Sequence, residues 1–417
     1  MTSSLPLALL PMPLLRSPTT RSGRYCVHTS RDTCPISGMM RARNWPGICA
    51  SSWKGEEPLM ASSTADQFTS LDFAYFDHAS IGTVPTPVRT AVDDVLRHLA
   101  LGTRGFRAAE EIGAQAADLI AAEWSVKAHQ IDLMASAGEA LNAAARALSL
   151  PAGSRVLVED EDFPQSVLPF ESIPHIEVVR IPQTKPGCDR TEDFISALDP
   201  AISVVSLTHV HANTGATIDL DRLGSACAEN GSYLVVDGSQ AAGAIEVDAS
   251  RADIYVATGY KWLLAGFGIA AVSRSERFDD NSAGRLRGYA NLDAGLRTGH
   301  RNLAGAAALE AASKVRMAIG FRETYSQLQS MVHQLGTELR LIGLTNLTEG
   351  AGIISVGAAN AEAIVTVLAE GNVVVAERAG RVRISPSFNT TSLQADQLID
   401  AISGIASKTG ILKGSFA

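Results

Sequence analysis

From about residue 132 the chain alternates short β-rich apolar runs with helical ones. "RVLVED" (155–160), "IEVVRI" (176–181), "ISVVSL" (202–207), "SYLVVD" (232–237), "DIYVAT" (253–258) and "GIAAVS" (268–273) are nearly unbroken in apolar character. Such runs suit strands covered on both faces. Helical stretches lie between some of them, for instance "DLDRLGSACAEN" (219–230), which ends in an Asn-Gly stop. The pattern predicts an α/β fold, a mostly parallel sheet between helices. After about residue 306 the texture changes. "AGAAALEAASKVRMAIGF" (304–321) and "YSQLQSMVHQLGTELRLIG" (325–343) read as helices, and β runs follow at "GIISVG" (352–357), "VVVAER" (373–378) and "RVRISP" (381–386). The expected division is an extension over 1–65, a large domain over 66–305 and a smaller C-terminal α+β domain over 306–417.

Composition narrows the class. The chain has 417 residues, 46% of them hydrophobic and 19% charged, which is the profile of an ordinary globular protein. A net charge of −9 without a basic stripe argues against nucleic acid as a partner. No apolar run approaches the roughly 18 residues of a membrane helix. Residues 1–59 differ from the rest: they hold seven Lys/Arg against three Asp/Glu and are rich in Ser, Pro and Arg. They read as disordered, either an organelle-targeting peptide or the product of a start assigned too early, with Met60 as the true first residue. Cys26, Cys34 and Cys49 fall in that segment, which leaves Cys188 and Cys227 in the folded body. This is a reducing-compartment pattern, so a cytoplasmic location is expected, or an organellar one if residues 1–59 are a targeting segment.

The chemistry centres on "ATGYKWLLAGFG" (257–268), where Lys261 stands among small, apolar and aromatic residues directly after a strand run. Ligands of open α/β sheets bind at the carboxyl ends of strands. A lysine desolvated there becomes a nucleophilic amine suited to a Schiff base. Asp237, in "LVVDGSQAAG", ends the preceding strand run. Pyridoxal phosphate requires both an amine for its aldehyde and a carboxylate for its pyridinium nitrogen. In "MASAGEALNAAARAL" (134–148), Ser136, Ala137 and Gly138 open an Ala-rich helix and offer backbone N–H groups to a phosphate. Neither G-x-G-x-x-G nor G-x-x-x-x-G-K-[ST] occurs, which counts against a nucleotide-binding protein.

Phosphate-type turn, strand-end Asp and lysine after the next strand, in that order, resemble the class V, fold-type I pyridoxal-phosphate enzymes. That family includes aminotransferases, cysteine desulfurases, kynureninases and isopenicillin N epimerase-like proteins. The likeness runs over roughly 72–405 and includes "YFDHASIGTVPTPV" (75–88), "EDEDFPQSVLPF" (159–170), "SLTHVHANTGATIDL" (206–220) and "RVRISPSFNT" (381–390). It implies pyridoxal 5'-phosphate as cofactor, bound covalently by Lys261, with Asp237 on the ring nitrogen and Phe163 stacked on the ring. Gln240 would approach the phenolic oxygen or the lysine, and Asn213 the phenolic oxygen. Thr258 and Tyr260 would join residues 136–138 on the phosphate, and Arg383 would grip the substrate carboxylate. Arg104 and Arg107 are the next candidates for that grip. His209 and His211 alternate on a strand run and would face opposite sides.

The resemblance further implies a homodimer acting on a small amino acid or amine. An aminotransferase is the leading expectation, with a C–S lyase, a desulfurase-like lyase or an epimerase as alternatives on the same scaffold. Two departures matter. No cysteine follows Cys227, whereas desulfurases of the family carry one just upstream of the arginine motif. His300 stands where the family often has a Thr that reaches the partner's phosphate. A non-catalytic binding protein on the same fold is the rival from another class, and the intact Lys261, Asp237 and Arg383 argue against it.

Overall fold

The computed structural model describes residues 67–409, apart from 185, 186, 283–285 and 289–294. The expectations for residues 1–59, Met60 and the three N-terminal cysteines therefore lie outside the described residues. By contact the chain divides into Met1–Trp53 and Lys54–Ala417, and every described residue belongs to the second unit.

Seven strands form the main sheet, in the spatial order Ile131–Met134, Ala270–Arg274, Ile254–Thr258, Tyr233–Asp237, Ile202–Thr208, Arg155–Glu159 and Glu177–Ile181. The five strands from Ile254–Thr258 to Glu177–Ile181 pair in parallel, while Ala270–Arg274 runs antiparallel to both of its neighbours. Successive side chains leave a strand on opposite faces. Leu157, Val205, Leu207, Leu234, Val236 and Ala257 accordingly fall in one apolar cluster, and Val156, Val158, Val204, Val235 and Val256 in another. Both faces are covered, which is why these runs read as unbroken hydrophobics. The exception is Glu177–Ile181. It is an edge strand with no residue fully buried, so the expectation that "IEVVRI" is covered on both faces does not hold.

Ala376–Arg378, Arg381–Ile384, Ile353–Gly357 and Leu347–Gly350 form a second, four-stranded sheet, antiparallel throughout. The single run expected over 373–378 is split. Val373–Val374 instead pairs in parallel with Ala74–Tyr75. That pairing draws the N-terminal segment against the second sheet, and the Asp77–Ser385 bridge extends it. The expected boundary at 305/306 falls inside one helix, Leu303–Ile319, which packs on Thr86–Leu99 and Ala116–Glu123. The two sheets thus belong to one compact unit. Among the described residues no helix is long and apolar enough to cross a membrane.

Candidate active site

Thr208, Asp237 and Thr258 end three adjacent parallel strands. Their carboxyl ends gather the candidate residues. Asp237 is 4% exposed, and its Oδ1 accepts the Ser239 N–H at 2.9 Å. Ser239 Oγ in turn accepts the Thr258 N–H at 3.2 Å, which ties the two strand ends together. Burial raises the Asp237 pKa, against the lowering effects of the Ser239 hydrogen bond and the Lys261 charge. A carboxylate so desolvated is stabilised most by a partner that brings an N–H or a positive charge.

Beyond Thr258 the chain turns tightly. The Ala265 N–H donates to Gly259 O at 2.8 Å, the Leu264 N–H to Lys261 O at 3.1 Å, and the Gly82 N–H to Tyr260 O at 2.8 Å. Leu264 takes a φ of +59°, a left-handed conformation that is strained for a leucine. This turn buries Lys261 to 8% exposure. Among the described residues its Nζ has no hydrogen-bond or ion-pair partner. It faces the Phe163 ring at 5.6 Å and the Tyr260 ring at 5.8 Å. Burial pushes its pKa down to about 8, against the opposing pull of Asp237, and the charges of Arg383 and Arg378 push it further down. A buried amine without a partner and a buried carboxylate on the next strand fit the two ends of a pyridoxal ring.

The phosphate-type turn has the expected form. Ser136 caps the helix Ala137–Leu148 by accepting the Glu139 N–H at 3.1 Å, and Glu139 Oε2 accepts the Ala135 N–H at 3.2 Å. The N–H groups of Ala137 and Gly138 have no acceptor within the helix and are left for an anion. Phe163 stands at the N-cap of Pro164–Glu171 and stays 45% exposed, an unusual state for an apolar ring unless a flat partner covers it. The Gln165 amide packs against Gly138: a Cβ built on that glycine would fall 2.6 Å from Gln165 Oε1. Gln165 thus connects the Phe163 helix to the turn, a contact no motif announced. Tyr260 stacks on Phe267 with centroids 4.3 Å apart. Asn213 is half-buried in the turn that the His211 N–H closes onto Ala216 O at 2.8 Å.

Other candidate residues have partners within the protein. Gln240 Nε2 donates to Ala79 O at 2.9 Å and its Oε1 accepts the Trp262 Nε1–H at 2.9 Å, so the amide joins the N-terminal segment to the lysine turn. His209 and His211 lie beyond Thr208, where the strand ends, so strand alternation does not decide their directions. His209 Nδ1 is 3.0 Å from the Tyr255 hydroxyl, and burial pushes its pKa down to about 3. His211 Nε2 is 3.1 Å from Glu161 O. Arg104 and Arg107 lie exposed on the helix Thr103–Glu111, where Arg107 reaches Glu111 at 3.9 Å.

Arg383 is 2% exposed and already engaged: Nη1 donates to Ala212 O at 3.1 Å, and Nη2 to Asp77 Oδ1 at 3.1 Å and Ser80 Oγ at 2.6 Å. Its Nε is buried without an acceptor. Asp77, Ser80 and Arg378 were not singled out by the sequence. Asp77 and Ser80 do lie within the "YFDHAS" opening quoted above, and Arg378 Nη2 donates to Ser80 Oγ at 2.8 Å. Among the described residues no group of His, Cys, Asp and Glu could hold a metal ion.

Comparison with known proteins agrees with this geometry. Residues 74–405 match the family Aminotransferase class-V. A probable cysteine desulfurase of Pyrococcus abyssi is 24% identical over 67% of this chain and 77% of its own length. An isopenicillin N epimerase of Amycolatopsis lactamdurans is 26% identical over 54% of this chain and 60% of its own. The cysteine desulfurase CsdA of Escherichia coli superposes with a TM-score of 0.73 at 18% identity, over 83% of this chain and 99% of that one. These names support the lyase or epimerase alternatives better than the aminotransferase expectation. With a match across most of its length, the chain belongs to the class-V aminotransferase family of pyridoxal-phosphate-dependent enzymes.

Proposed function

We propose that the protein is a pyridoxal-phosphate-dependent lyase that removes the Cα proton of an amino acid and releases the substituent on Cβ. The observation that carries the reading is Lys261, a buried amine with no partner and a pKa of about 8, close enough to neutrality to accept and return a proton. When bound, the cofactor supplies the electron sink that makes the Cα proton removable. Asp237 keeps a proton on the ring nitrogen, Phe163 covers the ring, and the Ala137 and Gly138 N–H groups hold the phosphate. Arg383 orients the substrate carboxylate.

Elimination balances with these groups and one water, which supplies the oxygen of the 2-oxo acid. The Cα–H bond breaks with its proton going to Lys261, and the Cβ substituent leaves with its bonding pair. The remaining enamine hydrolyses to a 2-oxo acid and ammonia. A thiol relay has no support here. No cysteine follows Cys227, and Cys227 neighbours Asp253 and Arg277 at the opposite, amino end of the strands. Burial pushes its pKa up to about 12, so it stays a thiol. A homodimer in the cytoplasm is part of the same reading, supported by the family likeness and the cysteine usage.

The test is to mix loaded enzyme with amino acids carrying a leaving group at Cβ, cysteine and 3-chloroalanine among them. Catalytic pyruvate is expected. A single turnover that leaves the cofactor in its amine form would instead identify a transaminase. Loss of optical activity without pyruvate would favour the epimerase relatives.

A further inference from the structure

Arg378 ends the strand Ala376–Arg378 and Arg383 lies in the neighbouring Arg381–Ile384. Ala376 pairs with Arg383 and Arg378 with Arg381, so the ladder register puts Arg378 and Arg383 on one face of the second sheet. Their heads converge. Arg378 Nη2 donates to Ser80 Oγ at 2.8 Å, and Arg383 Nη2 donates to the same oxygen at 2.6 Å. Two guanidinium groups thus share one hydroxyl beside the buried Lys261. Asp77 pairs with Arg383 only, and among the described residues Arg378 has no carboxylate partner. Its other head contact is Nη1 to its neighbour's carbonyl, Glu377 O, at 2.6 Å. Like charges this close repel unless an anion lies between or beside them. The Arg378 charge acts to lower the pKa of both Lys261 and Arg383, after burial as the main cause.

We infer that Arg378, with Ser80, is a specificity-determining residue for a second anionic group on the substrate, so that the preferred substrate is an α-amino acid whose Cβ substituent carries a carboxylate or similar anion. The inference rests on the lyase reading for the identity of the reaction, but not for the binding. Arg383 holds the α-carboxylate and Arg378, which is exposed where Arg383 is buried, takes the distal anion. A guanidinium suits that task because it grips a carboxylate through two parallel N–H groups.

The experiment titrates the pyridoxal-phosphate-loaded enzyme with succinate and with butyrate, which have the same number of carbons but two and one carboxylates, and follows the cofactor absorbance. Neither ligand has an amine, so no turnover is required. Succinate should bind about tenfold more tightly or better, the scale of one added charge-assisted contact. In Arg378→Gln the ratio of the two dissociation constants should fall close to one, and Arg378→Lys should recover part of it. A ratio near one in the unaltered enzyme overturns the inference, as does Arg378→Gln weakening both ligands equally, which would make Arg378 part of a single-carboxylate clamp. Absence of pyruvate with a high succinate preference would defeat the lyase reading alone. Pyruvate formation with no preference would defeat this inference alone.

Discussion

Gly82 lies so near Lys261 that a Cβ added to it would fall 2.1 Å from the lysine's carbonyl oxygen. That oxygen belongs to the turn that aims the amine, and it is backbone, so it cannot swing aside. Gly82→Ala should therefore push the lysine turn off its position and weaken cofactor retention by tenfold or more in dialysis. Gly138→Ala makes the instructive contrast. Its Cβ would meet only the end of the Gln165 side chain, which can rotate away, so retention should change far less. Equal losses in both variants would count against the close approach at Gly82.

Lys261 sets a pH dependence that can be read without substrate. Its pKa lies below the ordinary lysine value, at about 8, so the neutral, nucleophilic amine is populated as pH rises through that value. The rate at which cofactor-free enzyme captures pyridoxal phosphate should climb up to about pH 8 and level off above it. A rate still rising steeply two units higher would show an unshifted lysine. Borohydride reduction followed by peptide mapping should leave the pyridoxyl group on Lys261.

Asp237→Asn keeps the shape of the side chain and removes its charge. The ring nitrogen then loses a charge-assisted hydrogen bond of roughly 1.5–3 kcal/mol. Turnover should drop about 10- to 100-fold while the cofactor stays covalently attached. Full activity in this variant would remove Asp237 from the chemistry.

A separate prediction concerns stability. Arg316 and Glu123 are both buried, paired through Nη1–Oε1 at 2.5 Å and Nη2–Oε2 at 2.9 Å, and the Tyr325 hydroxyl donates to Glu123 Oε1 at 2.7 Å. Glu123→Ala would leave the guanidinium buried without its counter-charge, at a cost of about 3–5 kcal/mol. Denaturant midpoints should record it. A loss below about 1 kcal/mol would mean that water or another group compensates.

The sheet was legible because its strands are buried on both faces, so Val156 through Val158 or Val204 and Val205 leave no ambiguity of period. Lys261 and Asp237 were legible because each follows or ends such a strand, and strand ends are where chemistry collects. The partners of Gln240, Ala79 O and the Trp262 indole, are not foreseeable from local sequence. Asp77 and Arg378 were missed for a related reason. Asp77 reaches Arg383, and Arg378 reaches Ser80, only because Val373–Val374 pairs with Ala74–Tyr75, two segments about 300 positions apart. The boundary expected at 305/306 falls inside Leu303–Ile319, a helix that begins as a change in composition but packs with helices that precede it.

Thr258 pairs with Ala270 across the antiparallel edge, so the chain that carries Lys261 leaves the sheet and re-enters it beside its own starting point. The lysine therefore hangs from a hairpin whose two legs are already sheet rungs. Its backbone cannot cross the site without unzipping them, and only its side-chain torsions are free. Whatever proton the amine carries must arrive from one side of the reacting carbon. The handedness of what the enzyme accepts and makes is then written into the direction of a single strand, and an inversion at Cα would require a second proton donor on the far side.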